Sequence, residues 1–315
     1  MTTTSSENPN AFKLWINRAL LERMAAALQK AEPGFERKKF VAVASKLDAL
    51  ELKDRVRLVR DTLHTFLPKN YRQALGILLK SLDSGTLSSF DLWPYTEFIQ
   101  LYGLEEVELS LNALEKLTQL FTGEFAVRPF LNHHQKPTLK FLEKCALHKN
   151  EHIRRWASEG SRSRLPWGER ISAFVKEPGH TKKILEALKY DDALYVRKSV
   201  ANHINDISKD HPRYTLELLA EWKKNAPEVH RQKIEWITRH ALRGLIKAGD
   251  PLALELIGAS KNVQIEFLDF KLVRKTVRLN EALEFSFELK SLAKKSETLI
   301  VDYIVHYVKA NQKTA

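Results

Sequence analysis

From Ala11 to about Gly258, apolar residues recur three and four positions apart, one element after another. Leu14, Trp15, Leu21, Met24, Ala25 and Leu28 make a first such face, ended by Pro33-Gly34. Phe40, Val41, Ala44 and Leu47 lead into Leu52, Val56, Val59, Leu63 and Phe66, stopped by Pro68. Tyr71 to Leu82 follows, closed by Asp83-Ser-Gly85. This spacing puts the apolar side chains on one face of a helix, and Pro and Gly mark where each helix stops. Later stops fall at Gly103, Pro137, Pro166, Pro178-Gly179, Pro212, Pro227 and Gly249-Asp-Pro251. Strand-like alternation is absent from this region.

A degenerate repeat runs through the helices. Glu124-Phe-Ala-Val-Arg128, Glu151-His-Ile-Arg154 and Ala193-Leu-Tyr-Val-Arg197 share an aliphatic-then-Arg step at a helix start, 26 and 43 residues apart. Val196 to Pro212 echoes Trp236 to Pro251 about 40 residues later. Paired helices at such a period are HEAT-type units, which bury their apolar faces only by stacking into a solenoid. After Gly258 the period changes to two. Val263, Ile265 and Phe267 alternate, as do Leu283 to Leu289 and Val301, Tyr303, Val305 and Tyr307. We therefore expect a polar tail over residues 1–10, a mainly α HEAT-like solenoid over 11–258, and a β module over 259–315. That module has room for about four strands, against the seven of a complete sandwich, and its last strand is expected to leave an open edge.

Charge narrows the function. Lys and Arg number 51 against 39 Asp and Glu, a formal net charge of +12 over 315 residues. Such a balance favours a polyanionic partner. No run of apolar residues is long enough to cross a bilayer, and the polar N-terminus lacks a signal-peptide layout, so a cytoplasmic protein is expected. Cys145 is alone, forms no disulfide or zinc site, and reads as a small core residue. His203, His211 and His240 stand at no metal spacing and beside no serine nucleophile. Neither a metal nor any other cofactor is expected.

Residues 151–167 concentrate Arg154, Arg155, Arg162, Arg164, two tryptophans and Glu159 around a Gly-Ser turn, with a helix expected to open near Pro166. Arginines beside a helix N-terminus suit phosphate oxygens; a solvated basic loop is the plainer alternative. Here the chain resembles a family. Ser158-Glu-Gly-Ser-Arg-Ser-Arg-Leu-Pro-Trp167, Phe90-Asp-Leu-Trp-Pro-Tyr-Thr-Glu-Phe98, Gly123-Glu-Phe-Ala-Val-Arg-Pro-Phe130, Ser199-Val-Ala-Asn-His-Ile-Asn-Asp-Ile-Ser-Lys-Asp-His-Pro212 and Arg239-His-Ala-Leu-Arg243 are similar to the AlkC branch of the HEAT-like DNA alkylation repair glycosylases. The resemblance extends over essentially the whole chain and gives the β module an immunoglobulin-like character.

The resemblance implies release of cationic methylated bases, such as 3-methyladenine, from double-stranded DNA held on a basic concave face. Breaking the glycosidic bond builds positive charge on the sugar. The base is already a good leaving group, so a fixed negative charge near C1′ and a placed water are what help. On this reading Glu159 and Asp206 lie near the lesion sugar, Glu124 supports them, and Trp167 faces the base or deoxyribose. Arg155, Arg162, Arg164, Arg197, Lys198, Arg239 and Arg243 are the expected phosphate contacts, and the protein is expected to act as a monomer. Plainer roles exist for each: Glu124 could pair with Arg128 one helical turn away, Asp206 could be a solvated acid at a helix end, and Trp167 could be core, as Trp156 is read. Two other functions compete, a non-catalytic DNA-binding HEAT-repeat protein and a scaffold for an acidic protein. Because a cationic lesion needs little base recognition, a shallow charged groove is expected rather than a deep pocket into which a base is flipped.

Overall fold

The computed structural model describes residues 11–260, 263–278 and 280–306. Among them are sixteen α-helices and a two-stranded sheet, a mainly α, HEAT-like helical-repeat fold followed by an immunoglobulin-like β module. The residues up to His211 and those from Pro212 onward form two compact units. The helix-to-strand change at about Gly258 falls inside the second.

The first unit is built of helices that pack in pairs. Arg18–Ala31 packs on Tyr71–Ser81, Leu52–Phe66 on Trp93–Tyr102, and Glu151–Gly160 on Leu194–Ser208. The apolar face read from the sequence is the face that is buried: Leu20, Leu21, Met24, Ala25 and Leu28 in Arg18–Ala31, and Val56, Val59 and Leu63 in Leu52–Phe66. Leu14 and Trp15 are an exception. They belong to a single 3-10 turn, Phe12–Trp15, and the α-helix starts only at Arg18, where Asn17 Oδ1 accepts the Leu20 N–H at 3.0 Å. An N-cap of this kind outweighs apolar spacing in setting a helix start. Pro68 and Gly85 act as expected: Leu52–Phe66 ends just before the proline, and Gly85 takes φ +65° after the 3-10 turn that closes Tyr71–Ser81.

Residues 161–171 depart from the sequence reading. No helix opens at Pro166; the chain from Ser161 to Ile171 is a loop, and the next helix is Ser172–Lys176. The loop closes on itself through Ile171 N–H donating to Ser163 O at 3.3 Å.

In the second unit, Pro212–Asn225 packs on Arg231–Ala241 and on Pro251–Leu256. Both echoed segments end as their sequences suggest, with Pro212 and Pro251 each at the first position of the next helix, where a missing N–H costs nothing. The β module has two strands among the described residues, where about four are expected. Ile265–Leu272 pairs antiparallel with Phe285–Ser291, Phe267 facing Leu289 and Leu272 facing Phe285. A register irregularity between Leu268 and Lys271 coincides with Asp269 at φ +53°, the geometry of a bulge. Residues 301–306 form no strand, and Tyr307 lies outside the described residues. Alternation in this stretch supplies the apolar face of a strand, but no described strand pairs with it.

Candidate active site

The three candidate acids come from separate parts of the first unit and are tied into one chain of ion pairs. Glu124 stands in the turn before the helix Arg128–His133, Glu159 near the C-terminal end of Glu151–Gly160, and Asp206 near that of Leu194–Ser208. Arg155, one turn before Glu159, donates to Glu124 Oε2 and reaches Glu159 Oε1 at 3.5 Å. Arg162 donates from Nη1 to Glu159 Oε1 at 2.6 Å and from Nε to Asp206 Oδ2 at 2.7 Å. Lys209 closes the row on Asp206 Oδ1 at 3.0 Å. The order is therefore Glu124, Arg155, Glu159, Arg162, Asp206, Lys209, with carboxylate and cation alternating.

Two hydroxyls complete the carboxylates. Ser199 Oγ donates to Glu159 Oε2 at 2.6 Å, and Thr122 Oγ1 to Glu124 Oε2 at 2.8 Å. Ser199, His203 and Asp206 are spaced four and three residues apart, so one face of Leu194–Ser208 carries all of them toward Glu151–Gly160. His203 Nδ1 bonds Ser158 O at 3.0 Å, and burial pushes this imidazole down to about 4, so it is neutral near pH 7. For Arg155 and Arg162, burial works against the charge, but the neighbouring carboxylates outweigh it and hold both guanidiniums above their ordinary range.

These acids are less open than a DNA-facing surface would make them. Glu124 is 8% exposed, Glu159 6% and Asp206 1%. Asp206 is therefore no solvated helix-end acid, and Glu124 takes Arg155 rather than Arg128 as its partner. Burying several charges costs several kcal/mol per ion before pairing offsets it. Hydrophobic residues of similar volume would serve stability as well. Glu124 and Arg155 line an open cleft of about 290 Å³ with Phe121, Thr122, His152 and Tyr195. The Tyr195 ring lies 5.2 Å from the Arg155 guanidinium carbon, a cation–π contact that holds Arg155 from the cleft side.

Trp167 is 68% exposed and takes φ +64°, which a non-glycine residue rarely adopts. It neither opens a helix nor packs in the core. Trp156, in contrast, is fully buried.

The basic residues differ in what holds them. Arg155 and Arg162, expected at phosphates, spend their guanidiniums on the acids. Arg164 is bidentate to Asp210, at 2.6 and 2.5 Å. Arg197 Nη1 donates to the carbonyls of Asp191 and Asp192 at 2.7 and 2.8 Å. Lys198 is exposed in the first unit. Arg239 and Arg243, both exposed, belong to the second unit; Arg239 donates to Ile257 O and Arg243 to His240 O.

Sequence reading missed Ser199, Tyr195 and Arg128, whose guanidinium donates to the carbonyls of Gly160, Arg162 and Glu169. Ser199 had a signal, its seven-residue spacing from Asp206 on one helix face. Arg155 and Glu159, one turn apart, likewise announced their pairing. Tyr195 and Arg128 had none, because their partners come from distant segments. Among the described residues no group of three or more His, Cys, Asp or Glu side chains is placed to hold a metal ion, and no helix is long and apolar enough to cross a membrane.

Comparison with known proteins places these features in context. A family model described as "Uncharacterised protein YhaZ, C-terminal Ig-like domain" matches residues 266–315. The uncharacterized protein YhaZ of Bacillus subtilis is 39% identical over 296 residues, spanning 93% of this chain and 80% of that protein. The structure of Pseudomonas fluorescens alkylpurine DNA glycosylase AlkC, bound to DNA containing an abasic site analog, superposes with a TM-score of 0.88 at 36% identity. It covers 97% of this chain and 84% of the other.

Proposed function

We propose that this chain, which belongs to the AlkC-type family of HEAT-like-repeat proteins, is a DNA glycosylase that hydrolyses the N-glycosidic bond of cationic alkylated bases in duplex DNA. The observation that carries this reading is the alternating row of carboxylates and cations from Glu124 to Asp206, set beside an open cleft. A protein that only binds phosphates gains nothing from three buried acids.

In the proposed reaction the C1′–N bond breaks and its electron pair goes to the base, which departs neutral. Positive charge moves onto the sugar. Water oxygen then adds to C1′ and gives its proton to a carboxylate or to solvent. Fixed carboxylates favour this because the charge they meet is absent from undamaged DNA and concentrated on the sugar in the transition state. Glu159 is the central acid: Arg162, Arg155 and Ser199 fix its orientation, so no reorganisation is needed when the sugar charge develops. Glu124 opens onto the cleft, and Arg155 links it to Glu159 behind. Asp206, the most buried, acts through space and by orienting Arg162. Trp167 offers an exposed ring to the deoxyribose or the cationic base.

Arg197, Lys198, Arg239 and Arg243 remain the proposed phosphate contacts, whereas Arg155 and Arg162 serve the acids and Arg164 is held bidentate by Asp210. The decisive experiment is incubation with methylated duplex DNA and chromatography of the released bases. Release of 3-methyladenine supports the enzyme; tight duplex binding with no release leaves the non-catalytic DNA-binding reading.

A further inference from the structure

Arg128 is 0% exposed, and among the described residues no carboxylate pairs with it. Its guanidinium instead donates to three backbone carbonyls. Nη1 reaches Gly160 O at 3.0 Å and Arg162 O at 2.8 Å, and Nε reaches Glu169 O. The accepting residues bracket the loop that carries Arg162 and Trp167. Burial lowers the Arg128 pKa to about 10, so the side chain stays charged at neutral pH. A buried arginine without an acid is costly, yet hydrogen bonds to a charged donor are stronger than neutral ones.

Three more features fit the loop to this side chain. Gly168 leaves room for it: a Cβ there would lie 3.0 Å from both Arg128 Cδ and Nε. Trp167, next door, is held at φ +64°. Lys53 donates to Trp167 O at 2.8 Å from the helix Leu52–Phe66, fixing the far side of the turn.

The geometry points to Arg128 as a positioning residue: its three carbonyl bonds set the loop so that Arg162 sits between Glu159 and Asp206 and Trp167 projects into solvent. This extends the glycosylase reading and rests on it for its catalytic consequence. Lysine at this place keeps the charge but reaches fewer carbonyls, and methionine keeps only the volume.

Single-turnover excision of 3-methyladenine from methylated duplex is the first test, with folding checked by thermal melting. In Arg128→Lys the maximal rate is expected to fall about tenfold with half-saturating enzyme concentration unchanged, and further in Arg128→Met. Gly168→Ala, which crowds Arg128 without removing it, is expected to slow the wild-type protein severalfold but to have less effect in the Arg128→Lys background, since directly coupled sites do not add. The proposal is overturned if folded Arg128→Lys and Arg128→Met release base at the wild-type rate, if only half-saturation changes, or if the Gly168 and Arg128 effects simply add. A second readout needs no activity. With 5-fluorotryptophan in all positions and Trp167 assigned by Trp167→Phe, the Trp167 fluorine signal is expected to shift or broaden in Arg128→Lys while that of Trp222 stays fixed. An unmoved Trp167 signal sinks the positioning role. Wild-type protein that releases no base while its Trp167 signal still depends on Arg128 sinks the glycosylase reading alone.

Discussion

Ser199 donates its hydroxyl to Glu159 Oε2 at 2.6 Å, joining two helices through the acid at the centre of the ion-pair row. The bond leaves Glu159 Oε1 to the arginines and stops the carboxylate from rotating. A hydrogen bond to a charged group is worth about 1.5–3 kcal/mol. Ser199→Ala is expected to lower the single-turnover rate about tenfold and to leave binding of abasic-site DNA within a fewfold of wild type, measured by fluorescence anisotropy.

Glu159→Gln keeps the shape and removes the charge. Losing one preorganised group aimed at transition-state charge costs about 10²–10³ in rate, and that is the expected loss here. Asp206→Asn is expected to lose less, since Asp206 is 1% exposed and acts at a distance. Both variants are expected to bind undamaged duplex nearly as wild type does. Full base release by both would remove the mechanism.

Duplex binding is expected to weaken steeply as salt rises, because each neutralised phosphate releases counterions. Lys198→Ala and Arg239→Ala are each expected to reduce the slope of log affinity against log salt by about 1. A flat salt response in the wild-type protein would instead favour a scaffold for an acidic protein partner.

His203 is neutral in the folded protein, with burial holding it down to about 4, while the unfolded chain titrates near 6.5. Between those values the unfolded state binds the extra proton. Stability is therefore full above about pH 6.5 and falls as pH drops toward 4, by about 1.4 kcal/mol per pH unit in that window. Chemical denaturation of His203→Gln across the same range is expected to give a shallower loss than wild type.

Trp167→Asn is expected to leave the melting temperature close to wild type, since asparagine tolerates positive φ and the exposed indole buries little. Base release is nevertheless expected to fall. A large drop in melting temperature would place Trp167 in packing rather than at the lesion.

Much of the fold was legible in the sequence because helical spacing and Pro or Gly stops are local. Leu20, Met24 and Leu28 declare a buried face regardless of what covers it. The acids were legible as residues, but their partners were not. Glu124 stands at the right spacing for Arg128, four positions on; the fold gives it Arg155 instead, and turns Arg128 toward carbonyls. Pro166 looked like a helix start because proline suits a first turn. The loop is held by a buried guanidinium and by Gly168, neither of which leaves a local trace. In the β module the alternation was correct for Ile265–Leu272 and Phe285–Ser291, but alternation cannot say whether a strand such as 301–306 finds a neighbour.

The row from Glu124 to Lys209 also has a consequence for any DNA that carries no lesion. Each acid sits against a cation a few ångströms away, so beyond a Debye length of about 8 Å their fields largely cancel. Intact duplex, arriving as a polyanion, is neither repelled by the carboxylates nor trapped by their arginines. On the glycosylase reading, only a positive centre brought close to the row would sense individual acids, and the protein is expected to pass over long stretches of healthy sequence without stalling.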